Sequence, residues 1–162
     1  MRYKTVSSSD PILWSLPRTD RGNLYEFLLL MAFCLDTNIC IYALKGRYPA
    51  IGRHLQRYVP ADITIPALVR AELLLGAKKS RSAKTESVVR QFLLPYVVLP
   101  FDESASAIYA EIRFELEKKG RPIGPNDLII AATAMAHNKT LVTHNSKEFR
   151  RIRRLKTADW TR

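Results

Sequence analysis

Acidic or amide residues interrupt apolar stretches of this chain at four places. Asp36 follows Ala32-Phe33-Cys34-Leu35, Glu72 sits within residues 67–77, Asp127 follows Gly124-Pro125-Asn126, and Asn145 and Glu148 follow Leu141-Val142-Thr143. A lone carboxylate in such surroundings is costly to bury unless a cation or hydrogen-bond donors compensate it. Brought together, these groups make an all-oxygen site for a hard cation such as Mg²⁺, which is commonly held by one or two carboxylates, several waters and a substrate phosphate. An ion held this way can orient and deprotonate water for phosphodiester hydrolysis and stabilise the leaving oxygen. Each acid also has a plainer role open to it. Asp36 and Asp127 stand where a helix N-cap or first-turn acid is expected, whereas Glu72 has apolar neighbours on both sides.

Softer ligands are not arranged for a site. Cys34 and Cys40 are six apart, with no CxxC partner and no clustered His, so they read as buried, reduced thiols in a reducing, cytoplasmic compartment. His144 is the one histidine close to the acidic positions, and a surface or capping role suits it better than acid–base work. His54 and His137 read as structural.

Positioning these groups requires strands and helices in alternation. Short apolar runs at residues 32–35, 63–65, 97–99 and 141–143 read as strands. Helices are expected from Ile39 to Leu44 with Gly46 marking the end, and over residues 50–58, 67–77, 83–94, 104–119 and 128–137. Pro125 and Asp127 open the last of these as helix N-termini prefer. The alternation predicts an α/β fold with a short, mainly parallel central sheet flanked by helices on both faces. In such sheets sites form beyond the carboxyl ends of the strands, which is where Asp36, Asn145 and Glu148 fall.

The chain has 162 residues, 47% of them apolar, with 26 Lys and Arg against 15 Asp and Glu, a net charge of +11. That length suits one domain and a buried core, and it excludes a disordered, collagenous or disulfide-scaffold protein. The longest apolar run, residues 27–35, is far shorter than the roughly 20 residues a spanning helix needs. Residues 1–30 are turn-rich and without sustained periodicity. They are expected to be an extension, either flexible or the product of a start assigned upstream of Met31, and the working domain is expected over residues 31–162.

Four segments carry a resemblance. Leu35-Asp36-Thr37-Asn38-Ile39, Ala71-Glu72-Leu73-Leu74-Leu75-Gly76, Gly124-Pro125-Asn126-Asp127-Leu128 and Leu141-Val142-Thr143-His144-Asn145-Ser146-Lys147-Glu148-Phe149 resemble, in order, the four signatures of PIN-domain ribonucleases of the VapC type. The match runs from about Met31 to Trp160. It implies a Mg²⁺- or Mn²⁺-dependent endoribonuclease, usually dimeric, that is the toxin of a type II toxin–antitoxin pair. A VapB-type antitoxin holds such a toxin inactive by placing its tail in the acidic groove, and DNA is met only through the antitoxin complex. By motif, Asp36, Glu72 and Asp127 take the acidic positions, with Asp36 and Asp127 as direct metal ligands and Glu72 and Glu148 as further candidates for the ligand set. Thr37, Asn38 and Thr143 are the supporting polar residues. Where many PIN domains carry a fourth acid this chain has Asn145, with Glu148 three residues on. Asn supplies no charge, so a one-metal site is the expectation. The first and third segments look most similar to the branch that cuts initiator tRNA in the anticodon loop.

The basic excess is concentrated in stretches. Lys147, Arg150, Arg151, Arg153, Arg154 and Lys156 follow the last motif; Lys78, Lys79, Arg81, Lys84 and Arg90 follow Glu72; Lys118, Lys119 and Arg121 precede Asp127. Next to an acidic metal pocket, such cations steer phosphate. Aromatics do not alternate with them, so no base-stacking platform is visible in the sequence. Two competing readings stand beside the nuclease. One is a non-catalytic basic nucleic-acid-binding subunit. The other is an aspartyl-phosphate phosphoacceptor domain, which fits less well because Asp36-Thr37-Asn38 lacks a second Asp and no Lys directly follows the last strand.

Overall fold

A computed structural model describes residues 32–162. The expectation for residues 1–30 lies outside that range. Five strands run β1 (Phe33–Leu35), β2 (Ile63–Pro66), β3 (Val97–Leu99), β4 (Thr140–Val142) and β5 (Thr157–Ala158). Helices α1 (Thr37–Leu44), α2 (Pro49–Arg57), α3 (Ala67–Lys79), α4 (Ala83–Leu93), α5 (Glu103–Lys118), α6 (Pro125–Ala136) and α7 (Ser146–Phe149) connect them.

All strand pairings are parallel, in the order β3-β2-β1-β4-β5. The chain therefore winds outward from β1 to β3 on one side, then crosses back to lay β4 and β5 on the other. This puts the switch in winding direction between β1 and β4, where doubly wound sheets open a crevice at the carboxyl ends of the strands. Cys34 and Leu35 of β1, all of β2, and Leu141 and Val142 of β4 are buried, as strands covered on both faces must be. The two edges differ. Val97 and Val98 of β3 are exposed, and β5 is only two residues long.

Local signals set the helix limits. Ser82 accepts a hydrogen bond from the Thr85 amide to start α4, and Asp102 accepts one from Ala105 to start α5. Gly46, just past α1, has φ 60°, a left-handed conformation that costs glycine little. On α3, Val69, Leu73 and Ala77 recur every four residues and bury one face against the sheet. The expected helices are all present, within a few residues of their expected limits. The elements not foreseen include α7 and β5, which directly follows the cationic run. Its ladder bonds run from Leu141 N to Lys156 O and from Thr143 N to Ala158 O, both 2.9 Å.

Cys34 and Cys40 are buried free thiols, as expected, and burial pushes both thiol pKa values up. Among the described residues no helix is long and apolar enough to cross a membrane.

Candidate active site

Asp36 occupies the cap position of α1, yet its side chain caps nothing. Its amide donates to Val142 O at 3.0 Å, extending the β1–β4 ladder by one residue. That places its carboxylate beside Thr143, whose hydroxyl donates to Asp36 Oδ2 at 2.8 Å. Thr143 Oγ1 in turn accepts from the Asn145 amide at 3.0 Å. Asp36 is 3% exposed and Thr143 fully buried. The helix-cap alternative is thereby set aside in favour of a carboxylate held in the crevice between β1 and β4.

Glu72 enters from α3. Turns of that helix bring Glu72, Leu75, Gly76 and Lys79 to one side while the apolar stripe faces the sheet, which explains an acid among apolar neighbours. The Thr37 hydroxyl donates to Glu72 Oε2, and Asn126 Nδ2 donates to Oε1 at 2.6 Å. Asn126 is a site residue that the sequence reading passed over. It lay within the third motif, but nothing in its type showed that it would reach across to another helix.

Asp127, in the first turn of α6, completes a groove of about 400 Å³ lined by Asp36, Thr37, Asn38, Glu72, Lys79 and Asp127, with Leu75, Gly76 and Ile130. Burial raises the Asp36 pKa to about 6, partly countered by the Thr143 hydroxyl and the Thr37 amide, with the Asp127 and Glu72 charges adding to the rise. Burial also raises Asp127, reinforced by Glu148 and then Glu72. Carboxylates perturbed by burial and by neighbouring charges in one cleft are the usual mark of a working site.

A hard cation fits this donor set, because every polar side chain on the groove other than Lys79 offers oxygen. Among the described residues no three His, Cys, Asp or Glu side chains form a ready-made metal cage. An ion here would rest on Asp36 and Asp127 with waters and substrate phosphate, the mode Mg²⁺ accepts. Both Glu72 oxygens are already engaged, which suits it to a supporting role. Glu148 acts on Asp127 through its charge and pairs with Arg151 at 3.1 Å. Asn145 is the N-cap residue of α7 and meets Thr143 through its backbone.

The cationic run divides. Arg151 also donates to Pro122 O at 3.3 Å, in the loop leading to α6, and Lys147 and Arg150 are exposed near it on and after α7. Arg153 and Arg154 lie where the chain returns toward the amino end of β5. Lys156 Nζ, at that end, donates to Asn138 Oδ1 at 3.2 Å, in the turn before β4. His144 is not on the groove; its Nδ1 lies 3.4 Å from Asp159 Oδ2.

The PIN-domain family model matches residues 33–155, from β1 to just before β5. The chain belongs to the PIN-domain family. Within it, the chain groups with the VapC ribonucleases. Ribonuclease VapC2 of Rickettsia felis is 40% identical over 80% of this chain and 98% of its own length. The tRNA(fMet)-specific endonuclease VapC of Shigella flexneri is 36% identical over 82% of this chain and its full length. The structure of VapBC2 from Rickettsia felis, bound to a DNA fragment from its promoter, superposes with TM-score 0.73 at 38% identity, covering 80% of this chain and 98% of that one. The PIN domain here thus carries its acids at the winding switch of a parallel sheet, on elements whose order agrees with the order of the four motifs.

Proposed function

We propose that this PIN domain is a Mg²⁺- or Mn²⁺-dependent endoribonuclease, the toxin of a type II toxin–antitoxin pair, acting in the cytoplasm on tRNA, with initiator tRNA the leading substrate. The observation that carries the metal dependence is the buried Asp36 carboxylate, held by Thr143 and facing a groove shared with Asp127 and Glu72. Asp36 and Asp127 would hold the ion, which when bound supplies a nucleophilic hydroxide and stabilises the leaving oxygen. Thr143 fixes which Asp36 oxygen turns toward the groove. Thr37 and Asn126 engage both Glu72 oxygens and keep that carboxylate on the groove. Lys79, the cation lining the groove among the described residues, meets the phosphodiester, while Lys147, Arg150 and Arg151 guide the strand toward it.

That the Shigella relative is a tRNA(fMet)-specific endonuclease supports the tRNA reading, and that the Rickettsia structure is one of VapBC2 supports a VapB-type antitoxin as partner. A homodimer is part of the same proposal. Purified protein incubated with total tRNA, in Mg²⁺, Mn²⁺ or EDTA, tests it, with sequencing of the cut ends. Cleavage that needs the divalent ion and disappears in Asp36→Asn is the expected result. Unchanged cleavage in that variant would refute the ligand assignment, and RNA retarded but uncut in every lane would make the chain a binding subunit. Light scattering of the protein alone reads the dimer. Co-purification with the product of a neighbouring small reading frame reads the antitoxin.

A further inference from the structure

The fold assembles four residues that are scattered in sequence into an aromatic and cationic cluster outside the acidic groove. Tyr42 and Tyr48 meet edge to face with ring centroids 5.0 Å apart, and the His144 ring lies 6.1 Å from Tyr42 and 5.8 Å from Tyr48. The Arg47 guanidinium lies over both tyrosines, at 5.1 and 5.6 Å. Thr161 Oγ1 lies 3.2 Å and Asp159 Oδ2 3.4 Å from His144 Nδ1, and together they hold the imidazole in place.

Helix α2 shows which end of the sheet this cluster occupies. Its C-cap, Tyr58, packs on Phe33 at the start of β1, with centroids 4.8 Å apart, while its N-cap, Tyr48, packs on His144 just past the end of β4. The helix therefore runs back along the sheet, and the cluster stands at the carboxyl end, where Asp36 is. His144 directly follows Thr143, the residue whose hydroxyl holds Asp36. The cluster is open on one side: Tyr42 and Tyr48 are half-buried against the core, while Arg47 is exposed and the His144 side chain is 44% exposed.

Resting on the ribonuclease reading above, we propose that Tyr42, Arg47, Tyr48 and His144 form a stacking site for an unpaired base of the RNA, next to the bond that is cut. Ring faces and a guanidinium plane are what single-stranded RNA uses when its bases are splayed from the helix, and Arg47 adds a charge for the adjoining phosphate. A site of this kind restricts cutting to loops, where a base can leave its stack. The absence of alternating aromatics and cations along the sequence hid it, because the rings come from α1, the α1–α2 connection and the residue after β4.

The test uses the full chain and a synthetic stem–loop RNA carrying the mapped cut site, with a single abasic nucleotide placed in turn at each position flanking it. Wild type is expected to cut one abasic RNA about tenfold more slowly than intact RNA, within the range that a stacked base contributes. Tyr48→Leu and His144→Ala should lose that discrimination, cutting intact and abasic RNA at the same reduced rate, whereas His144→Phe, which keeps a ring, should retain it. Equal slowing of both substrates with the ratio preserved, or the absence of any sensitive position in wild type, overturns the proposal. If wild type cuts no RNA, the ribonuclease reading fails by itself. Fluorescence of loop 2-aminopurine then decides stacking separately: quenching by wild type that Tyr48→Leu abolishes supports it, and no quenching rejects it.

Discussion

At the carboxyl end of the sheet Asp36, Glu72 and Asp127 converge on one groove, each side chain held by a neighbour or perturbed by one. The amino end has a polar contact too, but it closes on itself: Lys156 reaches Asn138 in the turn before β4. The same ten-residue run of cations serves both ends. Its first members flank α7 near Asp127, and its last is tied to the loop before β4. The difference teaches that charge along a sequence does not define a binding surface, since a parallel strand turns the chain around and divides the run.

The sharpest way to break this comparison is Asp36→Asn. Removing the buried charge should lower RNA cleavage at least about 100-fold, more than the loss of an outer-shell partner normally costs. A milder version is Thr143→Val, which keeps the shape and deletes the hydroxyl bonded to Asp36. Activity should fall roughly 10- to 100-fold. Because that hydrogen bond lowers the Asp36 pKa, the acid limb of the pH–rate profile should also move to higher pH. An unmoved limb would mean that Asp36 is not the group titrating there.

Stability should run opposite to activity. Burial gives Asp36 a folded pKa of about 6 against an ordinary 3.8, so the folded state binds the proton more tightly. The resulting contribution is fully present below about pH 4 and lost as pH rises through about 6, a loss on the order of 1–3 kcal/mol. Melting curves of wild type and Asp36→Asn without divalent ions, taken from pH 4 to pH 8, should therefore diverge as pH rises, with the variant the more stable above pH 6. Parallel curves would contradict the burial assigned to this carboxylate.

Smaller effects probe the cations. Replacing Arg150 and Arg151 by Gln should weaken RNA binding and reduce the slope of log affinity against log salt by about one per lost phosphate contact. Lys156→Gln, at the other end of the sheet, should change affinity less than about twofold. Equal effects from the two changes would erase the distinction between the ends.

Much of the fold was legible because burial on both faces leaves an unmistakable trace. The apolar runs at residues 32–35 and 63–65 read as short strands with helices between them, and β1 and β2 lie there. Within the site, Asp36, Glu72 and Asp127 were readable because each breaks an apolar pattern. Asn126, α7 and β5 were not. Asn126 matters through a bond to a residue 54 positions away, and Thr157-Ala158 is a strand only because β4 offers it an open edge.

The sequence by itself determined the kinds of element, their order, and the acids that must be gathered at strand ends, since periodicity and the cost of a buried charge are properties of the chain. Tertiary structure decided which oxygen meets which hydroxyl, where the cation run divides, and that two tyrosines, an arginine and a histidine share one surface beside Thr143. Those outcomes depend on strand order and crossover direction, which fix distances between residues far apart in the chain and leave no local pattern to read.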